Sequence, residues 1–216
     1  MEPPAPRHDA RSVALHYTSK IASHLFANRV PPPEIEVRTD FAPMFAPNER
    51  IWVQGPYTLE EFSATGDGTY ETRHTIVGGT GLLGMTMLAA TLGASAAGNK
   101  RRRQQAAAAM VPHWHVVDQG TIFVSYLGMY MQSTNGFFTW PWGAIPQGDL
   151  PQPEVFAFTG MTPNGSVQLA VNSVWAELVF VAWALARHRR HPRLHDGSWW
   201  PDGWHGNPPD LKALGG

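Results

Sequence analysis

Residues 120–142, GTIFVSYLGMYMQSTNGFFTWPW, decide the fold of this 216-residue chain. Three short runs within this stretch are rich in aromatic and β-branched residues, which are typical of β-strands. The runs cover residues 121–125, 129–132 and 137–142. Asn135-Gly136 separates the last two runs. An Asn-Gly pair in this position predicts a hairpin, because both residues tolerate the positive φ that a type I′ turn requires.

The same pattern continues on both sides of this stretch. On the C-terminal side, Asn164-Gly165 separates two further apolar runs. On the N-terminal side, a loop with Gly66, Asp67 and Gly68 joins two more. The additional predicted strands cover residues 50–57, 69–77, 114–117, 155–158 and 167–171. Hairpin-connected strands of this kind predict a mainly β, α+β domain, built as an antiparallel barrel or sandwich.

Helical periodicity is found before and after the strand series. Over residues 11–27 apolar residues recur at three- and four-residue steps, and three prolines at 31–33 end the pattern. Residues 173–188 predict a final helix that is apolar over most of its surface and therefore largely covered. The expected organisation is an N-terminal helix and Pro-rich tether over 1–48, a domain over 49–187, and an irregular Trp-rich tail over 188–216.

Three motifs in the strand series and its final helix carry a family resemblance. They are GTIFVS at 120–125, GFFTWPWGAI at 136–145 and SVWAELVFVAWALARH at 173–188. With these motifs the domain resembles pleckstrin-homology-like (PH-like) and GRAM-like proteins, specifically the small PH-like proteins common in high-GC Gram-positive bacteria. The resemblance implies an antiparallel barrel with a C-terminal helix that plugs one end. A long apolar insertion before Lys100 departs from a minimal PH-like domain.

Composition and charge exclude several classes of function. The chain has no cysteine, which excludes disulfide scaffolds, thiol catalysis and zinc-thiolate sites. A net charge of −1 at pH 7 excludes a globally basic nucleic-acid-binding protein. The N-terminal sequence has neither the basic start nor the apolar core of a secretion signal. A cytoplasmic location is therefore expected.

The most informative segment for function is TIVGGTGLLGMTMLAATLGASAAG at residues 75–98, which contains no charged residue. A basic cluster, KRRR at 100–103, follows it within an expected insertion over 75–110. The segment is long enough for a single membrane span with the basic residues on the cytoplasmic side. It also suits a helix that lies on or shallowly in the membrane surface. In a third arrangement the segment packs on the sheet as a buried helix or Gly-rich connection.

The favoured function is a non-catalytic PH-like module that associates with the cytoplasmic face of the membrane or with a membrane protein complex. The apolar part of the insertion would contact the membrane or partner. The basic cluster would contact anionic headgroups or an acidic partner, since each basic residue contributes about 1 kcal/mol near a charged leaflet. The predicted apolar contacts are Leu82, Leu83, Met85, Met87, Leu88 and Leu92. The predicted basic contacts are Lys100, Arg101, Arg102 and Arg103.

Two alternative functions use the same insertion. In the first, the protein is a soluble scaffold that binds a protein partner or another copy of itself through the insertion and the Trp-rich tail. In the second, Gly79, Gly81 and Gly84 form a G-x-G-x-x-G motif. Their stretch is similar to the opening of short-chain dehydrogenase-like and NmrA-like proteins, which implies an NADP-binding protein. Against this, the catalytic Tyr-x-x-x-Lys of that family is absent, and hairpins follow instead of alternating strands and helices.

No catalytic, cofactor or metal site is predicted. His113 and His115 alternate along a strand and could supply half of a zinc or nickel site, but no third ligand lies nearby. His188, His191 and His195 form a second histidine group near the end of the final helix. Nucleic-acid binding is not expected, because the basic residues form only short clusters.

Overall fold

The structure is a computed structural model that describes residues 10–27, 29, 37, 39, 45–64 and 111–200. The chain divides into two units. One comprises Met1–Glu61 with Val116–Gly216, and the other comprises Phe62–His115. The helices, the packed core and the cavity described below belong to the first unit.

The described residues contain seven strands and three α-helices. In chain order the elements are α1 (Ala10–Phe26), β1 (Ile51–Ser63), β2 (His113–Ser125), β3 (Gly128–Ser133), β4 (Gly136–Pro141), a 3₁₀ turn (Trp142–Ala144), β5 (Gln147–Gln152), β6 (Val155–Thr162), β7 (Gly165–Asn172), α2 (Ala176–Arg187) and α3 (Pro192–Asp196). The strands form one sheet in the order β4-β3-β2-β1-β7-β6-β5. Antiparallel ladders join β1 to β7 and link the successive hairpin strands. The predicted mainly β, antiparallel fold is confirmed.

Both Asn-Gly hairpins are present, but their predicted turn type is wrong. Ser133 pairs with Gly136, and Thr162 pairs with Gly165, so each glycine opens the following strand. The glycines have φ of 128° and 120°, whereas neither asparagine is among the described residues with positive φ. A type I′ turn needs positive φ at both central residues. The glycine alone supplies the unusual conformation here, at the point where the chain re-enters the sheet.

Two strand predictions differ from the structure. The runs predicted at 114–117 and 121–125 belong to one continuous strand, β2. Strand β5, with the sequence QGDLPQ, is missed because it lacks the aromatic and β-branched residues typical of strands. Its pairing with β6 and the burial of Leu150 compensate for this weak local preference. The strand predicted at 69–77 lies outside the described residues.

Helix α2 covers one part of the sheet and explains its almost entirely apolar sequence. Ten of its twelve residues are buried. Trp183 lies 5.7 Å from Phe156, measured between ring centroids, and its Nε1 donates a hydrogen bond to the Ile145 carbonyl at 2.9 Å. We call α2 and the side chains of β5, β6 and the 3₁₀ turn packed against it the helix-covered region.

Helix α1 packs on α2 and contributes to the same core. Ile21 and Phe26 are buried there. Arg11 pairs with Glu177 at the start of α2 at 3.1 Å, and with Glu154 in the β5–β6 turn at 2.8 Å. The domain boundaries predicted at residues 48 and 187 stay predictions, although α1 and Trp199 both share core contacts with the sheet.

Candidate functional site

A cavity of about 380 Å³ lies beside the β3–β4 and β6–β7 turns. Its volume falls in the range of about 300–1,000 Å³ that is typical of small-molecule sites. Strands β1 to β4, strand β6, the 3₁₀ turn and both hairpin turns line it. The lining residues are Leu59, Val117, Asp118, Met131, Asn135, Phe138, Thr139, Trp140, Ala144, Met161, Thr162 and Pro163. Most of these side chains are apolar, so the cavity suits an apolar ligand or the apolar part of one.

The edge of the cavity carries exposed apolar side chains. Val117, Phe138 and Met161 are 37%, 45% and 52% exposed, and all three line the cavity. They come from β2, β4 and β6, which are distant in sequence, so the sheet brings them together. Exposed apolar groups gathered around a cavity are typical of an interaction site. We call the cavity and these three residues the mouth.

Trp140 forms a fixed wall of the mouth. Its ring packs edge-on against Phe158, with centroids 5.3 Å apart and an angle of 76° between the planes. The same ring lies directly over Gly160, where any side chain would collide with it. A glycine at 160 therefore allows the indole to approach β6 closely, which defines one side of the cavity before any ligand binds.

A polar cluster also borders the cavity. Asp118 of β2 accepts a hydrogen bond from the Tyr57 hydroxyl at 2.6 Å and another from Asn135 Nδ2 at 3.1 Å. Asp118 is the one ionisable residue among the lining residues. The three residues connect β1, β2 and the β3–β4 turn, and so they fix the position of the carboxylate.

Hydrogen bonding keeps Asp118 ionised. Partial burial opposes ionisation, but hydrogen bonds from Tyr57, Ser133 and Asn135 outweigh it and lower the pKa of the carboxyl group. Burial, together with the carboxylate of Asp118, raises the pKa of the Tyr57 hydroxyl. At neutral pH the cluster is therefore a carboxylate held by neutral donors.

The mouth carries a single ionisable side chain, Asp118. Its lining residues include neither a histidine nor a second carboxylate that could act with Asp118 as an acid–base pair. Within the described ranges, no group of three or more histidine, aspartate or glutamate side chains could hold a metal ion. The His113 and His115 rings lie 5.4 Å apart, whereas His188 and His191 pack against Trp183. We therefore interpret the mouth through its shape and its single charge.

The predicted contact residues lie outside the described residues. This holds for the six apolar residues between 82 and 92, the basic residues 100–103, the possible membrane span at about 75–98, and the glycines of the NADP-binding alternative. In sequence, residues 64–112 connect the end of β1 to the start of β2. The apolar and basic segments are thus joined to two strands that line the mouth through Leu59 and Val117.

Sequence reasoning missed Tyr57 and Asp118. They are 61 positions apart, and they meet because β1 and β2 are neighbours in the sheet. One signal was available: Asp118 interrupts the apolar alternation of β2 with a carboxylate. A charge within an otherwise apolar strand needs either solvent or hydrogen-bond donors.

No helix in the described part of the chain has the length and apolar character needed to cross a membrane.

A scan against protein-family models matches no family, and a search of curated proteins finds no significant match. Function must therefore be inferred from the residues of the chain itself.

Proposed function

We propose that the protein is a non-catalytic PH-like module that associates with the cytoplasmic face of the membrane, with the mouth as its contact face. The observation that supports this most is the apolar cavity with exposed Val117, Phe138 and Met161 at its edge. The transfer of apolar surface from water into an apolar phase is favourable by about 25 cal/mol per Å². Such an edge therefore favours contact with a lipid surface.

The strand order supports the PH-like part of the proposal. A meander of seven antiparallel strands in which β1 pairs with β7, followed by a helix on the sheet, fits an antiparallel barrel with a C-terminal helix. The same order counts against an NADP-binding enzyme. Dinucleotide sites of that class lie at the carboxyl ends of parallel strands, and the described ladders are antiparallel.

The insertion supports the membrane part of the proposal. Its apolar residues 82–92 and basic residues 100–103 are carried between β1 and β2. An apolar segment combined with a basic cluster favours an anionic membrane, because apolar burial and attraction to headgroups add together.

Vesicle sedimentation tests the proposal. The wild-type protein is expected to sediment with vesicles of phosphatidylcholine and phosphatidylglycerol, and less with phosphatidylcholine alone. Replacing residues 100–103 by glutamine should remove the preference for anionic vesicles. The double variant Phe138→Ser/Met161→Ser should bind less to both kinds of vesicle. Leu127→Ser is the matched control, because Leu127 is 39% exposed but lies at the other end of β3 from the cavity turn.

Two outcomes would contradict the proposal. A wild-type protein that stays in the supernatant with every vesicle composition would exclude membrane association. Equal losses for the mouth variant and Leu127→Ser would show that the mouth is not the contact face. If the protein instead forms oligomers that the mouth variant dissociates, the scaffold alternative takes its place, with the same exposed apolar edge as the contact surface.

A further inference from the structure

We propose that the mouth binds a small amphiphile with an apolar body and one cationic end, and that Asp118 pairs with the cation. The ligand class is an alkyl or aryl ammonium or guanidinium compound. This inference rests on the proposed function, since it takes the mouth as the binding face, and it adds the chemistry of the ligand.

The apolar body follows from the lining of the cavity. Leu59, Met131, Phe138 and Trp140 come from three strands and line a volume of about 380 Å³. A polar ligand group that contacts these apolar residues would lose its hydrogen bonds with water and gain none from the protein. The cost is about 1–3 kcal/mol for each group. An alkyl chain or an aromatic ring loses none.

The cationic end follows from the charge of Asp118. Its carboxylate receives hydrogen bonds from neutral groups: the side chains of Tyr57, Asn135 and Ser133 and the backbone of Gln119. Among the described residues, no lysine, arginine or histidine forms an ion pair with it. None of these donors carries a positive charge, so an ammonium group beside the carboxylate would be attracted to it. An anionic headgroup in the same cavity would face an uncompensated negative charge.

The cluster is organised before the ligand arrives. Tyr57, Asp118 and Asn135 belong to three different segments, and their hydrogen bonds of 2.6 and 3.1 Å hold the carboxylate in one position. Pre-organised groups lose little conformational freedom on binding. The same bonds explain why the carboxylate is retained at the edge of an apolar cavity.

Isothermal titration calorimetry at neutral pH tests this inference with three probes that share one chain: octylamine, octanol and octanoate. We expect octylamine to bind about tenfold more tightly than octanol, since hydrogen bonds to charged groups are the stronger ones. Octanoate should bind most weakly. Asp118→Asn should bring the affinity for octylamine to the level of octanol in the same variant. Asp196→Asn, the matched control outside the cavity lining, should change nothing.

Equal affinities of octylamine and octanoate for the wild-type protein would overturn the inference. This comparison uses the wild-type protein alone, so it does not depend on the folding of a variant. An unchanged preference for the amine in Asp118→Asn would overturn it too. The proposed function can fail separately. Amine-selective binding at the mouth without any vesicle sedimentation would reject membrane association alone, and vesicle sedimentation without amine selectivity would reject the ligand class alone.

Discussion

The helix-covered region and the mouth share strand β6 and the 3₁₀ turn, but their apolar side chains differ in exposure. Under α2, Phe156, Phe180 and Trp183 are fully buried and pack against one another. At the mouth, Phe138 and Met161 remain about half exposed around an open cavity. Burial of large side chains stabilises the fold, whereas exposed ones contribute little to it. The comparison indicates that the helix-covered region stabilises the fold, whereas the mouth is available to bind a ligand or a membrane surface.

The largest expected difference between the two regions is in their response to truncation. Trp183→Ala should lower the free energy of unfolding by about 3–5 kcal/mol, because it leaves a cavity and removes the hydrogen bond to Ile145. Phe138→Ala should lower it by less than about 1 kcal/mol, since the side chain is half exposed. Urea unfolding followed by circular dichroism measures both. Similar losses of stability in the two variants would contradict the proposed difference between the two regions.

The next largest effect concerns the ion pair that attaches α1 to the helix-covered region. Glu177 is 1% exposed, and burial raises the pKa of its carboxyl group despite the partner Arg11. Arg11→Met would leave this carboxylate buried without a cation, and should lower the free energy of unfolding by about 3 kcal/mol at neutral pH. Adding Glu177→Gln should restore part of the loss. Chemical denaturation of the two variants provides the measurement, and a neutral effect of Arg11→Met would show that α1 is held by its apolar contacts alone.

A smaller effect is expected at the wall of the mouth. Gly160→Ala would force the Trp140 ring away from β6. The free energy of unfolding should fall by about 1–2 kcal/mol, as is common for overpacking, and octanol should bind more weakly because the cavity changes shape. Gly143→Ala serves as a control, because a side chain at that position meets open space. If both variants bind octanol equally well, Trp140 does not define the cavity.

The sequence predicted the fold better than it predicted the mouth. Local patterns were sufficient for β3, β4, β6, β7 and α2, because aromatic and β-branched runs and helical periodicity are visible in single segments. Strand β5 has no such pattern and depends on its partner β6. Residues of the mouth, such as Leu59, Val117 and Met161, are far apart in sequence. Their proximity depends on strand order and register, which no local pattern contains.

The smallest expected effect is the pH dependence that Asp118 contributes. The pKa of Asp118 is lower in the folded protein than its ordinary value of 3.8. The ionised carboxylate therefore stabilises the folded protein above pH 3.8. This stabilisation is lost as the pH falls from 3.8 through the lower pKa of the folded protein. Wild-type protein should lose about 0.5–1 kcal/mol through this group at acidic pH. The stability of Asp118→Asn relative to wild type should therefore improve as the pH is lowered. Thermal unfolding between pH 2 and pH 6 checks this, and a constant difference between the two proteins would mean that the hydrogen bonds to Tyr57 and Asn135 do not stabilise the charge.

The claim that the mouth is the binding face is tested most directly by nuclear magnetic resonance. Amide spectra of the ¹⁵N-labelled protein would be recorded during titration with small bicelles of phosphatidylcholine and phosphatidylglycerol. The proposal predicts that shifts and line broadening concentrate at Val117, Asn135 and Met161, with little change at Leu127 or at Leu194 of α3. Changes centred on Leu127 or Leu194, with the mouth unperturbed, would contradict it.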